Sequence, residues 1–221
     1  MNHPTERPRT EVLLPMPDGL LAPGLRRDLA DLNAQYLELG LAARPEADPR
    51  FDWPEPVRSC LSAVDPDTLE RLVSVPFALF ELVIPPASVA ACATRVEDGR
   101  PAGGTGVPPG RCESFAHQAV FLARRLVEGG ELVSGVVFSL APDSRRWLLE
   151  CRPSQLAELA LDPATIRPRW RSHARFWQLL VGAATRSSAA ALEWAHCIGL
   201  CLIGADEPPQ QRQAAGRRPR V

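Results

Sequence analysis

The densest group of side chains that could do chemistry is a cluster of arginines around position 170. Four arginines fall between positions 167 and 175 with Trp170 and His173 among them, Trp177 follows directly, and a fifth arginine lies 11 positions after the fourth. Because the guanidinium fork matches phosphate oxygens, these arginines are candidates for contacting DNA or a partner. The alternative interpretation is a solvated turn whose tryptophans pack inward. The candidates are Arg167, Arg169, Arg171, Arg175 and Arg186.

Neither a metal site nor a catalytic motif stands out among the other reactive residues. Cys197 and Cys201 share a helix face beside His196, but zinc would need ligands from elsewhere and the flanking residues are apolar. We therefore expect the cysteines to be small apolar side chains packed in a core. The sequence contains no G-x-S-x-G, Walker A or G-x-G-x-x-G motif. These observations predict a protein that is not an enzyme and holds no metal or cofactor.

Composition narrows the class further. The 221 residues carry a net charge of −1, and all 25 basic residues are arginine. A balanced charge gives little of the long-range attraction on which non-specific nucleic-acid binding depends. No run approaches the roughly 18 consecutive apolar residues of a membrane span, and the first residues lack the apolar stretch of a signal peptide. We expect a cytoplasmic protein that does not bind membranes.

The middle of the chain contains an internal repeat with an offset of 87 residues. When residues 56–82 are shifted forward by this offset, three leucines fall on leucines and two prolines on prolines. Proline is tolerated only in the first turn of a helix, so matching prolines predict matching helix boundaries. With a four-residue adjustment, Gln35 also falls on Gln118. The Leu-x-x-Leu stripes of the two copies predict buried pairing residues at Leu69, Leu72, Leu156 and Leu159.

Hydrophobic periodicity divides the chain into helical segments and connections. A clear helix is predicted over 25–42, a first repeat core over 55–75, and four helices over 113–129, 131–140, 142–151 and 153–161. An arginine-rich turn is predicted at 167–171, followed by helices over 172–185 and 187–205, the last capped by Ser187 or Ser188. The stretch FALFELVI is too short for a good helix and is predicted as a buried extended segment or a single turn. The predicted domains are a flexible arm (1–24), a degenerate repeat (25–92), a Gly/Pro-rich linker (93–112), a helical unit (113–205) and a disordered tail (206–221).

Residues 114–205 resemble the FlhD family, the small all-α subunit of the flagellar master regulator. The resemblance rests on HQAVFLARRLVEGGELVSGVVFSLAPDSRRWLLECRPSQLAELA and on LEWAHCIGLCLIG near the end, an ordered pattern over about 90 residues. Residues 28–86 are similar to a shortened copy of the same unit. The resemblance implies an all-α fold of duplicated FlhD-like units that pack on each other about a local two-fold axis.

The resemblance also implies a function. FlhD proteins form intertwined dimers and join FlhC to activate flagellar promoters, with most DNA contact made by the partner. The cysteine that crosslinks family dimers aligns with Arg167, and the family's DNA-facing Ser-Arg pair aligns with Ser187 and Ser188, so the arginine is lost there while Arg186 is adjacent. We therefore expect a transcriptional regulator or co-regulator that associates with an FlhC-like partner or with itself and binds DNA only weakly alone. The alternative is a helical adaptor that has lost DNA contact.

Overall fold

The chain folds mainly into helices. The computed structural model describes residues 21–44, 48–84 and 109–205, which contain nine α-helices and two short strands. The predicted helical class is confirmed at this level, and the strands are an addition to it. The helices are α1 (Pro23–Ala42), α2 (Glu55–Ser62), α3 (Pro66–Val73), α4 (Pro109–Gly129), α5 (Glu131–Phe138), α6 (Pro142–Glu150), α7 (Pro153–Leu161), α8 (Ala174–Thr185) and α9 (Ala189–Ala205). The strands are β1 (Phe80–Leu82) and β2 (Ile166–Pro168).

Prolines and short polar side chains set the helix starts. Pro66 and Pro153 each occupy the first position of a helix, where the missing N–H is not needed. Asp65 caps α3 by accepting a hydrogen bond from the Thr68 amide at 2.9 Å, and Ser188 caps α9 by accepting one from the Ala191 amide at 3.3 Å. The predicted helix boundaries therefore follow from local sequence.

Two predicted domain boundaries are wrong. The predicted arm extends over 1–24, but Leu21 is buried and α1 already begins at Pro23. The predicted linker extends over 93–112, but α4 begins at Pro109 and its Cys112 is buried. The remaining residues of both segments, and all of the predicted tail 206–221, lie outside the described residues.

The long helices α1 and α4 cross antiparallel at the centre of the molecule. The Gln35 Nε2 donates to Gln118 Oε1 at 3.2 Å. Ion pairs lie towards both ends of the crossing, Arg111 with Glu38 at 2.8 Å and Arg125 with Asp28 at 3.0 Å. These exposed pairs set orientation more than stability.

An aromatic cluster around Tyr36 fills the space beneath this crossing. The Tyr36 ring is fully buried and lies 5.9 Å from the Phe115 ring of α4 and 5.1 Å from the Phe80 ring of β1, centroid to centroid. Its hydroxyl donates to the Arg50 carbonyl at 3.1 Å and accepts from Trp53 Nε1 at 3.1 Å. Burial raises the pKa of Tyr36, so the phenol stays neutral and serves packing.

The two strands form an antiparallel pair that joins the first half of the chain to the second. Phe80 lies opposite Pro168, Glu81 opposite Arg167, and Leu82 opposite Ile166. Of the two forms predicted for FALFELVI, the buried extended one is therefore found. The predicted arginine-rich turn at 167–171 is wrong in its first part, because Arg167 lies in a strand.

A buried asparagine holds the chain that leads into β1. The Asn33 side chain, on the buried face of α1, donates to the carbonyls of Val73 at 3.2 Å and Phe77 at 3.0 Å and accepts from the Leu79 amide at 2.9 Å. These contacts satisfy backbone groups that would otherwise be buried without partners. The packing of α1 thus fixes the path of residues 73–79.

Three of the four leucines predicted in the core are buried. Leu72 and Leu156 are fully buried and Leu159 is 7% exposed. The prediction is wrong for Leu69, which is only partly buried against the core. The buried face of α3 is centred on Thr68 and Leu72, which places Leu69 at its edge.

The final helices form a hairpin over one side of the core. Helix α8 packs on α2 and α3, and α9 packs on α8. Arg71 Nε ties α3 to α8 by donating to the Ala184 carbonyl at 2.7 Å. None of the described helices has the length and apolar content needed to cross a membrane.

We expect Leu156→Ala to lower the free energy of unfolding by about 2–5 kcal/mol, because it would leave a cavity where α7 packs on α4. Leu69→Ala should cost less, since part of that side chain is already in water. The matched control is Leu149→Ala on α6, where the side chain is 44% exposed and the change should stay within about 0.5 kcal/mol. Urea denaturation followed by circular dichroism measures all three. Equal losses at positions 149 and 156 would contradict the assigned helix faces.

Candidate functional site

The five arginines predicted as a binding cluster do not form one surface. One is buried, two are paired with carboxylates from the first half of the chain, and two are exposed on α8. The five arginines are separated by the local backbone conformation and by pairing with residues distant in sequence. Neither can be predicted from the spacing of the arginines alone. The prediction that all five contact DNA or a partner therefore needs correction residue by residue.

Arg169 is a structural residue. Its side chain is 1% exposed, so it cannot contact phosphates on the surface. The Nη1 donates to the Ala78 carbonyl at 2.7 Å and to the Val137 carbonyl at 3.0 Å, and Nη2 donates to Ser139 Oγ. The guanidinium thus joins the segment before β1 to the end of α5.

The backbone around Arg169 adopts conformations that side chains usually avoid. Ser139 and Trp170 have φ angles of 55° and 52°. The left-handed region is costly for residues other than glycine and persists only where packing enforces it. Here the Ser139 hydroxyl oxygen accepts a hydrogen bond from the Arg169 guanidinium. The Trp170 ring packs 5.2 Å from the Phe77 ring, centroid to centroid.

Arg167 and Arg171 face carboxylates that the sequence places far away. Arg167 Nη2 lies 3.9 Å from Glu81 Oε2 on the neighbouring strand, and Arg171 forms an ion pair with Asp52. Both arginines are largely exposed, so the pairs contribute little stability. Their effect is to neutralise positive charge that the sequence alone presented as unopposed.

Arg175 and Arg186 keep an exposed position. Both lie at the ends of α8, and within the described residues neither has a carboxylate at ion-pair distance. The Trp170 and Trp177 side chains are buried, as in the alternative interpretation of a turn whose tryptophans pack inward. Only two members of the predicted cluster therefore remain available for binding.

The cysteines and histidines give no metal centre in the part of the chain that is described. Its residues contain no group of three or more His, Cys, Asp or Glu side chains that could hold an ion. Cys197 is half-buried and Cys201 exposed, so the prediction of core packing is wrong for Cys201. Burial lowers the pKa of His196 to about 4, and its ring packs edge-on against Phe77. His196 is therefore neutral near pH 7 and lies inside the core.

A groove of about 270 Å³ runs beside the strand pair. Its lining includes both Glu81 and Arg167, whose opposite charges lie 3.9 Å apart. Ser144 Oγ, which also lines it, lies 3.5 Å from the Ile84 carbonyl. This mixed lining offers no convergent set of groups for an anion or a metal.

The surface of α9 is a feature that sequence reasoning missed. Trp194 is 65% exposed, the largest exposed fraction of any large apolar side chain in the described residues. A helix that is apolar on all sides is usually buried on all sides. The stretch from Ala195 to Ile203 carries no acidic or basic residue other than His196. This apolar composition was the sequence feature that could have indicated an exposed apolar surface on α9.

Comparisons with known proteins identify no relative. No protein-family profile matches the chain, and no curated protein or solved structure is significantly similar to it.

We expect Arg169→Met to lower the free energy of unfolding by about 1–3 kcal/mol, because it leaves the buried Ala78 carbonyl without its donor. Arg169→Lys should also destabilise, since one ammonium cannot replace the planar fork. Arg175→Met, at an exposed position, is the control and should change stability by less than about 0.5 kcal/mol. Denaturant unfolding compares the three variants. An Arg169→Met protein as stable as the control would show that the guanidinium is dispensable.

Proposed function

We propose that this chain is an FlhD-like regulator or co-regulator of transcription, of flagellar or motility genes, that acts by associating with a DNA-binding partner. The proposal combines the resemblance of residues 114–205 to the FlhD family with one structural observation. That observation is the pairing of β1 with β2, whose register agrees with the internal repeat to within one residue.

The element order of the two halves follows the repeat offset. Helices α2 and α6 begin at Glu55 and Pro142, and α3 and α7 at Pro66 and Pro153, so both pairs are separated by 87 residues (142 − 55 and 153 − 66). The central residues of the strands, Glu81 and Arg167, are 86 residues apart. Equivalent strands that pair antiparallel about their own centre are what a two-fold axis produces. This supports an internal duplication whose copies face each other.

The crossing of α1 and α4 gives a second point on the same axis. Gln35 and Gln118, matched by the sequence repeat after a four-residue adjustment, are hydrogen bonded to each other. Residues related by a two-fold axis meet their own equivalents only where they lie on it. We infer that one chain contains both members of an FlhD-like pair and takes the place of a dimer.

DNA contact belongs to the partner in this proposal. Arg169 is buried, and Arg167 and Arg171 lie beside carboxylates, so the chain offers few unopposed cations to phosphates. A net charge of −1 adds no general attraction. An FlhC-like protein would supply the DNA-binding surface, and this chain would supply the scaffold that holds it.

The same charge distribution favours a second candidate function. A helical adaptor that binds proteins but takes no part in DNA recognition would also have no need of a basic surface. Its distinguishing property is association with a partner that leaves promoter binding unchanged.

The test is a titration of labelled flagellar promoter DNA at several salt concentrations, with the chain alone and with the FlhC-like protein of the same cell. We expect at most weak binding by the chain alone and tighter promoter binding when both proteins are present. Arg167→Gln and Arg171→Gln should leave the salt dependence unchanged, whereas loss of a phosphate contact would reduce its slope by about 1. Strong binding by the chain alone would contradict the division of roles. A partner complex with no effect on DNA binding would favour the adaptor.

A further inference from the structure

The outer surface of the α8–α9 hairpin combines an apolar centre with two exposed arginines. We call this surface the hairpin face. It consists of Arg175, Leu179 and Gly182 of α8, of Arg186 directly after α8, and of Trp194 and Cys201 of α9.

The α8 residues of the hairpin face form one stripe. Positions 175, 179, 182 and 186 follow helical spacing, and three turns separate the two arginines, which places them about 16 Å apart on the same side. The Arg186 side chain extends back towards the start of α8. Its Nη1 would lie 3.5 Å from a Cβ atom at Gly182. The Arg186 guanidinium therefore lies over Gly182.

Helix α9 supplies the apolar centre. Gly199 packs against the Phe176 ring, which would lie 3.0 Å from a Cβ at that position. Since the hairpin is antiparallel, this register puts Trp194 level with Gly182. Tryptophan is among the residue types most enriched at the energetic centres of protein interfaces.

The charges of the hairpin face select the partner's chemistry. Arg175 and Arg186 are exposed and, within the described residues, have no carboxylate at ion-pair distance, unlike Arg167 and Arg171. Glu193, next to Trp194, is the one carboxylate on the described side chains of α9. A second copy of the chain would bring the arginines of both copies together, which like-charge repulsion opposes.

We propose that the hairpin face binds an amphipathic helix of a partner protein whose apolar stripe has acidic residues at both ends. Trp194 packs against the stripe, and Arg175 and Arg186 pair with carboxylates about 11 residues apart on the partner helix. The proposal rests on the partner association proposed above and names the chemistry of that partner.

The experiment selects ligands without assuming the charge of their ends. A display library of 18-residue helical peptides with a fixed apolar stripe and random residues at both ends is selected on the full chain. We expect enrichment of Asp and Glu at positions 10–11 residues apart. By fluorescence anisotropy, the selected peptides should bind at least about tenfold more weakly to Trp194→Ala and to Arg175→Glu/Arg186→Glu. Leu149→Ala and Arg146→Glu on α6 are exposed controls that should bind as the unaltered chain does.

Several results would overturn the proposal. Enrichment of neutral or basic ends, equal binding by Trp194→Ala, or no selected binder at all would each do so. A concentration-dependent dimer that Trp194→Ala dissociates would identify a second copy as the occupant. Peptide binding that requires deletion of residues 1–20 would identify the chain's own N-terminal segment. Because the selection uses neither DNA nor an FlhC-like protein, its outcome is independent of the promoter titration.

Discussion

The backbone between residues 73 and 84 crosses the core, and its polar groups must be satisfied there. Most of its side chains are buried, including Phe77, Leu79 and Phe80. A helix satisfies most of its backbone groups internally, but beyond the end of α3 this segment contains only one short strand, whose partners lie elsewhere. Its partners are instead the Asn33 amide, the Arg169 guanidinium and a short strand from the other half of the chain. The two halves therefore complete each other's hydrogen bonding.

This constraint changes how the arginine cluster is understood. Arg169 is buried and donates a hydrogen bond to the Ala78 carbonyl. Arg167 lies in β2, opposite Glu81 of β1. Residues that the sequence presents as one basic surface are distributed between the core, the junction of the halves and α8. Of the four exposed arginines, Arg167 and Arg171 lie beside carboxylates, and Arg175 and Arg186 have none at ion-pair distance within the described residues.

Local features made the helices predictable. Pro66 and Pro153 mark helix starts because proline has no N–H to donate, and the leucine stripes give the core faces of α3 and α7 to within one residue. The error at Leu69 arises because Thr68 occupies the buried position, held by hydrogen bonds of its amide and hydroxyl to Asp65. Rotating a short helix by one residue changes which side chain is buried.

Long-range pairing made the candidate site unpredictable. Nothing in the run from Arg167 to Arg171 distinguishes the buried arginine from its neighbours, because Ala78 and Val137 are distant in sequence. Asn33 did carry a signal, since a polar residue interrupts the apolar stripe of α1. Such a residue in a core position requires buried hydrogen-bond partners, but it does not say which ones.

The pairing of β1 with β2 within one chain is tested most directly by a disulfide across the strands. Glu81 and Arg167 lie directly opposite each other, and opposite Cβ atoms are about 4.5–5.5 Å apart, close enough for a bridge after small adjustment. Oxidation of Glu81→Cys/Arg167→Cys, in a chain that also carries Cys201→Ser, should give a disulfide within a single chain, seen by non-reducing electrophoresis and peptide mapping. Bridges found only between two chains, or no bridge between these positions, would contradict the proposal that one chain contains both members of the pair.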